Sequence, residues 1–593
     1  MCGIAGEIRW RDDADVEAVG RITGALSARG PDGDGAWHDG RVALGHRRLR
    51  IIDLSDAGAQ PMVDDERGLV VVFNGCIYNY RELRAELSDG YRFRSESDTE
   101  VILAAYDRWG DDFVDRLVGM FAIALFDRHR ERMLLIRDRL GIKPLYVAEV
   151  DGGVRFASTL PALLAGGGID TTIDPVGLEY YLSWHSIVPA PHSILAGVKK
   201  LPAATIRTID LDGRTRDRVY WHPDYDRDPA KADWSVRDWR EAIHTSLRTA
   251  VQRRLVSDVP VGVLLSGGVD SSLIVALMAE SGLDGIPTFS IGFDAAGGEE
   301  GDEFEYSDLV AARFGTDHHQ LHIGAASMPS SIMLAVNAMT EPMTTPDVTA
   351  FFLLCQAVAE HVTVVQSGQG ADEVFAGYHY HQPAARVRRS DAHRVFTRAF
   401  SEYDHEELAQ VVTAERRPSG AVAEHLLQKH LEAPGAGTAL DAVLRLDTHT
   451  LMVDDPVKRL DSMAMAWSLE ARVPFLDQDL VQLAAQCPPE FKADQDGKGI
   501  LKDLARELVP PEVVDRPKGY FPVPGVRHLD ASMVALLTSV LTSPQARTRG
   551  IFQTDHLERL LADPNGTYGP VGGNTLWQIG LLELWLQLHH IPA

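Results

Sequence analysis

Cysteine is scarce in this sequence. Four cysteines, Cys2, Cys76, Cys355 and Cys487, are spread over 593 residues. Their number and spacing provide neither a disulfide framework nor a CxxC-type zinc site. We interpret Cys355 and Cys487, which lie in apolar, helix-like stretches, as small buried hydrophobic side chains. Cys2 needs a different explanation because it directly follows the initiator methionine.

Long apolar runs and a secretory signal are also lacking. No stretch of about 18 apolar residues is present, so we expect no membrane-spanning helix. No basic segment followed by an apolar one opens the chain, so we expect a cytoplasmic protein. The 58 Lys and Arg are outnumbered by 85 Asp and Glu, which gives a formal net charge of −27. That charge repels nucleic acid and anionic membranes, and we predict neither as a partner.

The length of the chain predicts at least two domains. Short apolar runs such as residues 69–73 and 120–126, bounded by turn signals, predict a strand-rich first part. A proline-punctuated segment, Pro189 to Trp221, is interpreted as the connection between domains. From about residue 235, strands, Gly-rich turns and helices alternate, which favours a parallel sheet with helical crossovers. We therefore predict an α/β protein with domains at residues 2–220 and 235–590.

A cysteine at the start of a chain can be a nucleophile that carries its own base. If Met1 is removed, the α-amino group of Cys2 titrates near pH 8 and can accept the thiol proton. Arg48 could bind a substrate carboxylate, and Asp98 could bind a substrate ammonium group. Asn74 and Gly75 could stabilise an oxyanion.

Each of these residues also has an ordinary structural explanation. Arg48 could be a surface charge, Asn74-Gly75 a hairpin turn and Asp98 a helix cap. Taken singly, those explanations are favoured. Their joint occurrence within roughly 100 residues favours a site that hydrolyses the amide of glutamine.

The same stretch resembles the class II glutamine amidotransferase domain of the N-terminal-nucleophile fold. The resemblance implies that Cys2 is the nucleophile, that Asn74 and Gly75 form the oxyanion hole, and that Arg48 and Asp98 bind glutamine. One position departs from the family: Cys76 replaces the usual Glu after Asn-Gly, so Asp98 must do more or another acid must help. The strings that carry the resemblance are MCGI (1–4), RGPDG (29–33), RLRIID (48–53), NGCIYN (74–79), SDTE (97–100) and RDRLG (137–141).

Two Gly-rich turns follow apolar strands in the second half of the chain. The first, residues 266–272, opens a helix, and such a turn presents backbone N–H groups to an anion. It lacks the lysine of a GxxxxGK[ST] loop, which favours pyrophosphate as a leaving group. The second turn spans residues 367–373, and Asp270 and Asp372 together could hold Mg²⁺. The first turn alone could equally be a simple entry into a helix.

Residues 235–590 resemble the asparagine synthetase-type domain of the pyrophosphatase-loop ATP family. The strings SIGF (290–293), LEARVPFLD (469–477) and RPKG (516–519) carry this resemblance. The two resemblances together imply an N-terminal αββα glutaminase domain followed by a Rossmann-like synthetase domain, and the second implies that Lys518 neutralises phosphate charge. The ATP-binding residues that it implies are Ser266, Gly267, Gly268, Asp270, Ser271, Ser272, Ile291, Gly368 and Gly370.

Together the two halves predict a glutamine-dependent, AMP-forming ligase that uses ATP and Mg²⁺. Its partners are L-glutamine, ATP and a carboxylate acceptor, and an internal tunnel is expected to carry ammonia between the sites. The family resemblance also suggests a homodimer.

The acceptor is predicted from a few positions. Gln369 stands where asparagine synthetases carry Glu. With Cys76 and the segment Gly297 to Glu303, it makes the chain similar to N-acetylglutaminylglutamine amidotransferases, which make an osmoprotectant dipeptide amide. The alternatives are an asparagine synthetase acting on aspartate, a non-catalytic regulatory relative, and a cyclase of the β-lactam or lasso-peptide type. The intact Cys2 argues against the last two.

Overall fold

The computed structural model describes residues 2–293, 301–324, 328–345, 347–516 and 528–593. The predictions that concern Lys518 and residues 297–300 lie outside the described residues. Within them, no helix combines the length and apolarity that crossing a bilayer requires.

The N-terminal domain is a sandwich of two antiparallel sheets with a helix layer on each outer face. Helix Val16–Ala25 packs on the first sheet and helix Asp98–Trp109 on the second. Central strands such as Leu69–Ile77 are almost entirely buried, which explains their continuous apolar sequence. Across the first sheet the strands are Val198–Lys200, Tyr146–Val150, Gly153–Ala157, Gly3–Arg9, Val42–Arg48 and Gly33–Asp39. Across the second they are Thr215–Val219, Thr205–Asp210, Arg132–Arg137, Gly119–Asp127, Leu69–Ile77 and Met62–Asp64. The other helices are Tyr80–Leu87, Leu160–Leu164 and Pro175–Ser183.

The segment 189–221 is not the connection that its prolines suggested. Strand Val198–Lys200 extends the first sheet by pairing with Tyr146–Val150. Strand Thr205–Asp210 pairs with Arg132–Arg137 in the second sheet. Proline and glycine here separate short strands, and the segment belongs to both sheets of the N-terminal domain.

The C-terminal domain is built on a parallel five-stranded sheet surrounded by helices, which confirms the predicted α/β class. Across the sheet the strands are Asp317–Ile323, Pro287–Phe293, Val261–Leu264, Val364–Gln366 and Glu470–Arg472. The region 381–450 is helical. The helices are Val236–Arg253, Val269–Glu280, Phe304–Phe314, Met328–Ala338, Asp347–Val358, Ala371–Val374, His381–Ala385, Ala392–Phe400, His405–Val411, Val422–Glu432, Ala439–Leu446, Lys458–Met465, Gln478–Gln486, Pro489–Ala493, Gly499–Leu508, Pro511–Asp515, Ala531–Leu541, Pro544–Arg549, Thr554–Ala562 and Thr575–Leu588.

Buried ion pairs join the two domains. Asp461 of the C-terminal domain accepts hydrogen bonds from Arg29 Nη1 at 2.8 Å and Lys143 Nζ at 3.3 Å, both from the N-terminal domain. Lys200 pairs with Asp454 at 2.5 Å. All five side chains are buried. Because breaking a buried pair leaves an uncompensated charge, these contacts hold the domains in one relative position.

Candidate active sites

A small pocket, with a volume of about 30 Å³, forms a cavity beside Cys2. The structure brings four of the predicted residues to its wall: Cys2, Arg48, Gly75 and Asp98. Glu470, from the edge strand of the C-terminal sheet, also lines it. The cavity is therefore completed by both domains.

The Cys2 thiol is buried and held through its backbone. The Cys2 nitrogen donates to Asn74 Oδ1 at 3.1 Å, and its carbonyl accepts from Arg29 Nε at 3.1 Å. Burial raises the pKa of the Cys2 thiol, and the positive charge of the amino terminus partly opposes that rise. A thiol in this state needs a base to become a nucleophile, which is the role that a free α-amino group at Cys2 could take.

Asn74 and Gly75 lie on the buried strand Leu69–Ile77. Asn74 Nδ2 is buried and has no hydrogen-bond partner among the described residues, so a donor is left over beside the thiol. Gly75 is required for packing, because a Cβ there would lie 2.1 Å from the carbonyl oxygen of Met120 on the neighbouring strand. A fixed, unsatisfied donor next to a nucleophile suits a developing oxyanion.

Arg48 ends the strand Val42–Arg48 and points its guanidinium at a loop. Nη1 donates to the carbonyl of Ser55 at 2.6 Å, and Nη2 donates to the carbonyl of Asp53. Burial lowers the pKa of Arg48, yet an arginine remains charged. Two carbonyls orient the guanidinium at the cavity wall, where it is the positive group available to a substrate carboxylate.

Asp98 opens the helix Asp98–Trp109, with Ser97 as the N-cap. Asp98 Oδ2 accepts a hydrogen bond from the Ile77 N–H at 2.9 Å. Burial raises the pKa of Asp98 to about 7; the Ile77 hydrogen bond opposes the rise and the charge of Glu470 adds to it. Asp98 is therefore an acid whose charge depends on what binds beside it.

The two Gly-rich turns lie side by side because their strands are neighbours in the parallel sheet. Strand Val261–Leu264 precedes the first turn and pairs with Val364–Gln366, which precedes the second. A Cβ on Gly368 would lie 2.9 Å from the Cβ of Asp270, so the turns are in contact. Gly370 has a φ of +95°, in the region that favours glycine.

The first turn has the features of an anion site. Gly267 has a φ of +69°, and a Cβ there would lie 2.6 Å from the Ser307 nitrogen. The Ser266 N–H donates to Ser271 Oγ at 3.2 Å. Ser272 Oγ is buried, and no described residue is its hydrogen-bond partner. Gly268 is the N-cap of helix Val269–Glu280, whose free N–H groups face the turn.

Asp270 and Asp372 lie on either side of a lysine. Lys498 Nζ is 2.8 Å from Asp270 Oδ2 and 3.0 Å from Asp372 Oδ1. Burial would lower the pKa of Lys498, but the two carboxylates outweigh it and raise the pKa. Ile291 is 9% exposed on the neighbouring strand Pro287–Phe293. The turns, the two acids and Lys498 form one polar cluster at the carboxyl ends of the strands, where ligands of open parallel sheets bind.

Comparison with known proteins covers both halves. A family model described as asparagine synthase matches residues 242–587, and one described as glutamine amidotransferase domain matches residues 1–221. The glutamine-hydrolyzing asparagine synthetase 1 of Bacillus subtilis is 30% identical over 99% of this chain and 96% of its own length. The glutamine-hydrolyzing asparagine synthetase B of Escherichia coli is 31% identical over 88% of this chain and 82% of its own length. This chain belongs to the glutamine-hydrolysing asparagine synthetase family. It is a glutamine-dependent amidotransferase and ligase.

The structure adds two site residues, Lys498 and Glu470, that the sequence did not predict. Lys498 lies between two glycines, Gly497 and Gly499, and has a φ of +57°, so the Gly-Lys-Gly pattern was the available signal. Glu470 had no local signal, since only the tertiary structure brings its strand to the cavity. Arg516, from the same RPKG string as Lys518, lies next to the first Gly-rich turn. Its Nη1 is 3.1 Å from Glu303 Oε1, and its Nη2 would be 3.7 Å from a Cβ on Gly268.

Proposed function

We propose that the chain hydrolyses glutamine at Cys2 and uses the ammonia to amidate an ATP-activated carboxylate. The Cys2 thiolate attacks the side-chain amide carbon, and Asn74 Nδ2 with the Gly75 backbone N–H stabilises the oxyanion. Collapse of this intermediate releases ammonia and leaves a thioester, which water hydrolyses to glutamate and the free thiol. The α-amino group of Cys2 moves the proton from the thiol to the leaving nitrogen.

At the second site the acceptor carboxylate attacks the α-phosphorus of ATP and pyrophosphate leaves. Ammonia then attacks the acyl carbon and AMP leaves, so one ATP is consumed for each amide formed. The helix N-terminus behind Gly268, together with Lys498, would bind the phosphates. Asp270 and Asp372 would hold Mg²⁺, which would supply positive charge to the phosphates. In the structure both carboxylates pair with Lys498. Lys518 is proposed to bind phosphate as well.

The proposed acceptor is the C-terminal carboxylate of N-acetylglutaminylglutamine. Gln369 is a neutral, half-buried residue in the second turn, beside the proposed acyl site. A blocked dipeptide has no free ammonium group and offers several amides, which an amide side chain can hydrogen-bond. Aspartate is the second candidate, and the names of the relatives above favour it.

One observation carries the proposal. The buried Cys2 contacts Asn74, whose Nδ2 has no partner among the residues that the structure describes, and the same chain has paired Gly-rich turns with a lysine between their acids. The first arrangement suits amide hydrolysis, and the second suits nucleotide activation. An internal path for ammonia between them is part of the proposal, because free ammonia is mostly protonated at neutral pH.

The acceptor is tested with purified full-length enzyme, glutamine, ATP and Mg²⁺. Pyrophosphate release and the mass of the amidated product are measured with N-acetylglutaminylglutamine and with aspartate. We expect release with the dipeptide; release with aspartate alone would assign the enzyme as an asparagine synthetase. The Cys2→Ala variant should amidate the acceptor with ammonium chloride and not with glutamine. Equal use of glutamine by that variant would refute the role of Cys2.

A further inference from the structure

Two carboxylates from different domains line the cavity beside Cys2. Asp98 belongs to the N-terminal domain and Glu470 to the C-terminal domain. Both side chains are buried, with 5% and 1% exposure. Burial of an acid is costly unless a cation or hydrogen bonds compensate it.

Glu470 is fixed in place by its own strand. One Glu470 oxygen accepts from Arg472 Nε at 2.6 Å. Arg472 Nη1 donates to the carbonyls of Arg254 and Val256, both at 2.8 Å, and Nη2 points to Cys76 Sγ at 3.7 Å. Arg472 is thus fixed by contacts with two backbone carbonyls and Cys76, and it orients the Glu470 carboxylate at the cavity.

The charged side chains that line the cavity are of both signs. Arg48 supplies a positive group, and Asp98 and Glu470 supply two acids. Burial favours the neutral form of Glu470, but the amino-terminal charge, Arg472 and Lys143 outweigh it and hold its pKa at about 2. Glu470 is therefore ionised at neutral pH, whereas Asp98, with a pKa of about 7, is only partly so. A ligand with both a carboxylate and an ammonium group matches this arrangement.

We propose that Glu470 is a glutamine-binding residue that the synthetase domain contributes to the glutaminase site, where it holds the substrate α-ammonium together with Asp98. This inference rests on the proposed hydrolysis of glutamine at Cys2. Cys76 lies on the same strand as Asn74, and its Sγ faces Arg472 Nη2. Its small neutral side chain leaves room for Arg472 and Glu470 beside the cavity. The acid that the sequence lacks after Asn74-Gly75 is supplied from the other domain.

The test compares hydrolysis of L-glutamine with hydrolysis of glutaramate, which is glutamine without its α-ammonium group. The measured quantity is kcat/KM for L-glutamine divided by kcat/KM for glutaramate. This ratio is determined for the wild-type enzyme and for the Glu470→Gln variant. The amide can still accept from Arg472, so the fold is preserved while the charge is lost. We expect the ratio to fall by about ten- to a hundredfold, the worth of one hydrogen bond to a charged group.

Glu583→Gln is the matched control, because Glu583 is a buried acid paired with Arg549 at 3.1 Å in the same domain and away from the cavity. It should leave the ratio unchanged, and Asp98→Asn should lower it. If Glu470→Gln does not fold, Glu470→Asp keeps the charge, withdraws it from the cavity and should lower the ratio less. An unchanged ratio in a folded Glu470 variant overturns the inference. Absence of glutaminase activity in the wild type would instead refute the proposed function.

Discussion

Glutamine binding should weaken in acid because Asp98 loses its charge. The pKa of Asp98 is about 7, raised by burial and by Glu470 against the opposing Ile77 hydrogen bond. Above this pH the carboxylate is ionised and can bind an ammonium group; below it the protonated acid cannot. The affinity for glutamine should therefore be highest above pH 7 and should decrease as the pH falls through 7.

The size of the effect follows from the titration. For one group with this pKa, the ionised fraction falls about tenfold between pH 8 and pH 6, equivalent to about 1.4 kcal/mol of binding free energy. The neighbouring side chains do not change charge in this range, and the α-amino group, which titrates near pH 8, is common to the variants that are compared. Glu470 has a pKa of about 2, and burial raises the pKa of Cys76 well above its usual range. Arg472 stays protonated.

The measurement is calorimetric titration of glutamine into the Cys2→Ala variant, which binds the substrate without hydrolysing it and removes the titration of Cys2. Its Kd should rise about tenfold from pH 8 to pH 6. In the Cys2→Ala, Asp98→Asn double variant, binding should be weaker and the tenfold change should be lost, which leaves only the titration of the α-amino group that both variants share. An equal slope in the two variants, or a flat profile in the single variant, would refute the assignment of Asp98 as the titrating group.

Two further variants separate the two sites. Gly75→Ala should reduce glutaminase activity by about a hundredfold, since its Cβ would lie 2.1 Å from the Met120 carbonyl oxygen and shift the strand of Asn74. Ammonia-dependent amidation should persist in that variant, and retention of full glutaminase activity would contradict the steric argument. Lys498→Met should reduce acceptor-dependent pyrophosphate release by at least about a hundredfold, as loss of a charged group at a phosphate site does. Its glutaminase activity should remain, and unchanged pyrophosphate release would show that the lysine serves only to neutralise Asp270 and Asp372.

The strands of the core could be predicted because burial on both faces leaves a continuous apolar run. The run at residues 69–73 corresponds to strand Leu69–Ile77, which extends further because Asn74 and Gly75 continue the pairing with the next strand. The same reasoning fails at residues 189–221. Proline and glycine end a strand as readily as they form a linker, and only the pairing partners distinguish the two.

The site was predictable where a residue lies in a local motif, and it was not where tertiary structure supplies the residue. Cys2, Asn74 and Asp98 come from separate strings, but each string has a chemical meaning of its own. Glu470 lies in the string LEARVPFLD, which identifies the family without indicating that its acid faces the other domain. Lys498 lies outside the quoted strings, and its position depends on how helix Gly499–Leu508 packs beside the two turns.

The contacts around Cys2 make the whole chain the catalytic unit. The Cys2 carbonyl is held by Arg29, and Arg29 is held by Asp461 of the synthetase domain. Glu470 closes the cavity from the same domain, and its strand pairs with Val364–Gln366, which leads directly into the second Gly-rich turn. The Ser367 N–H, at the start of that turn, donates to the Arg472 carbonyl at 2.8 Å. A displacement of the second Gly-rich turn would therefore shift the strand Glu470–Arg472 and, with it, the Glu470 side chain at the glutamine cavity. Close-packed strands transmit such a displacement because protein interiors are hardly compressible.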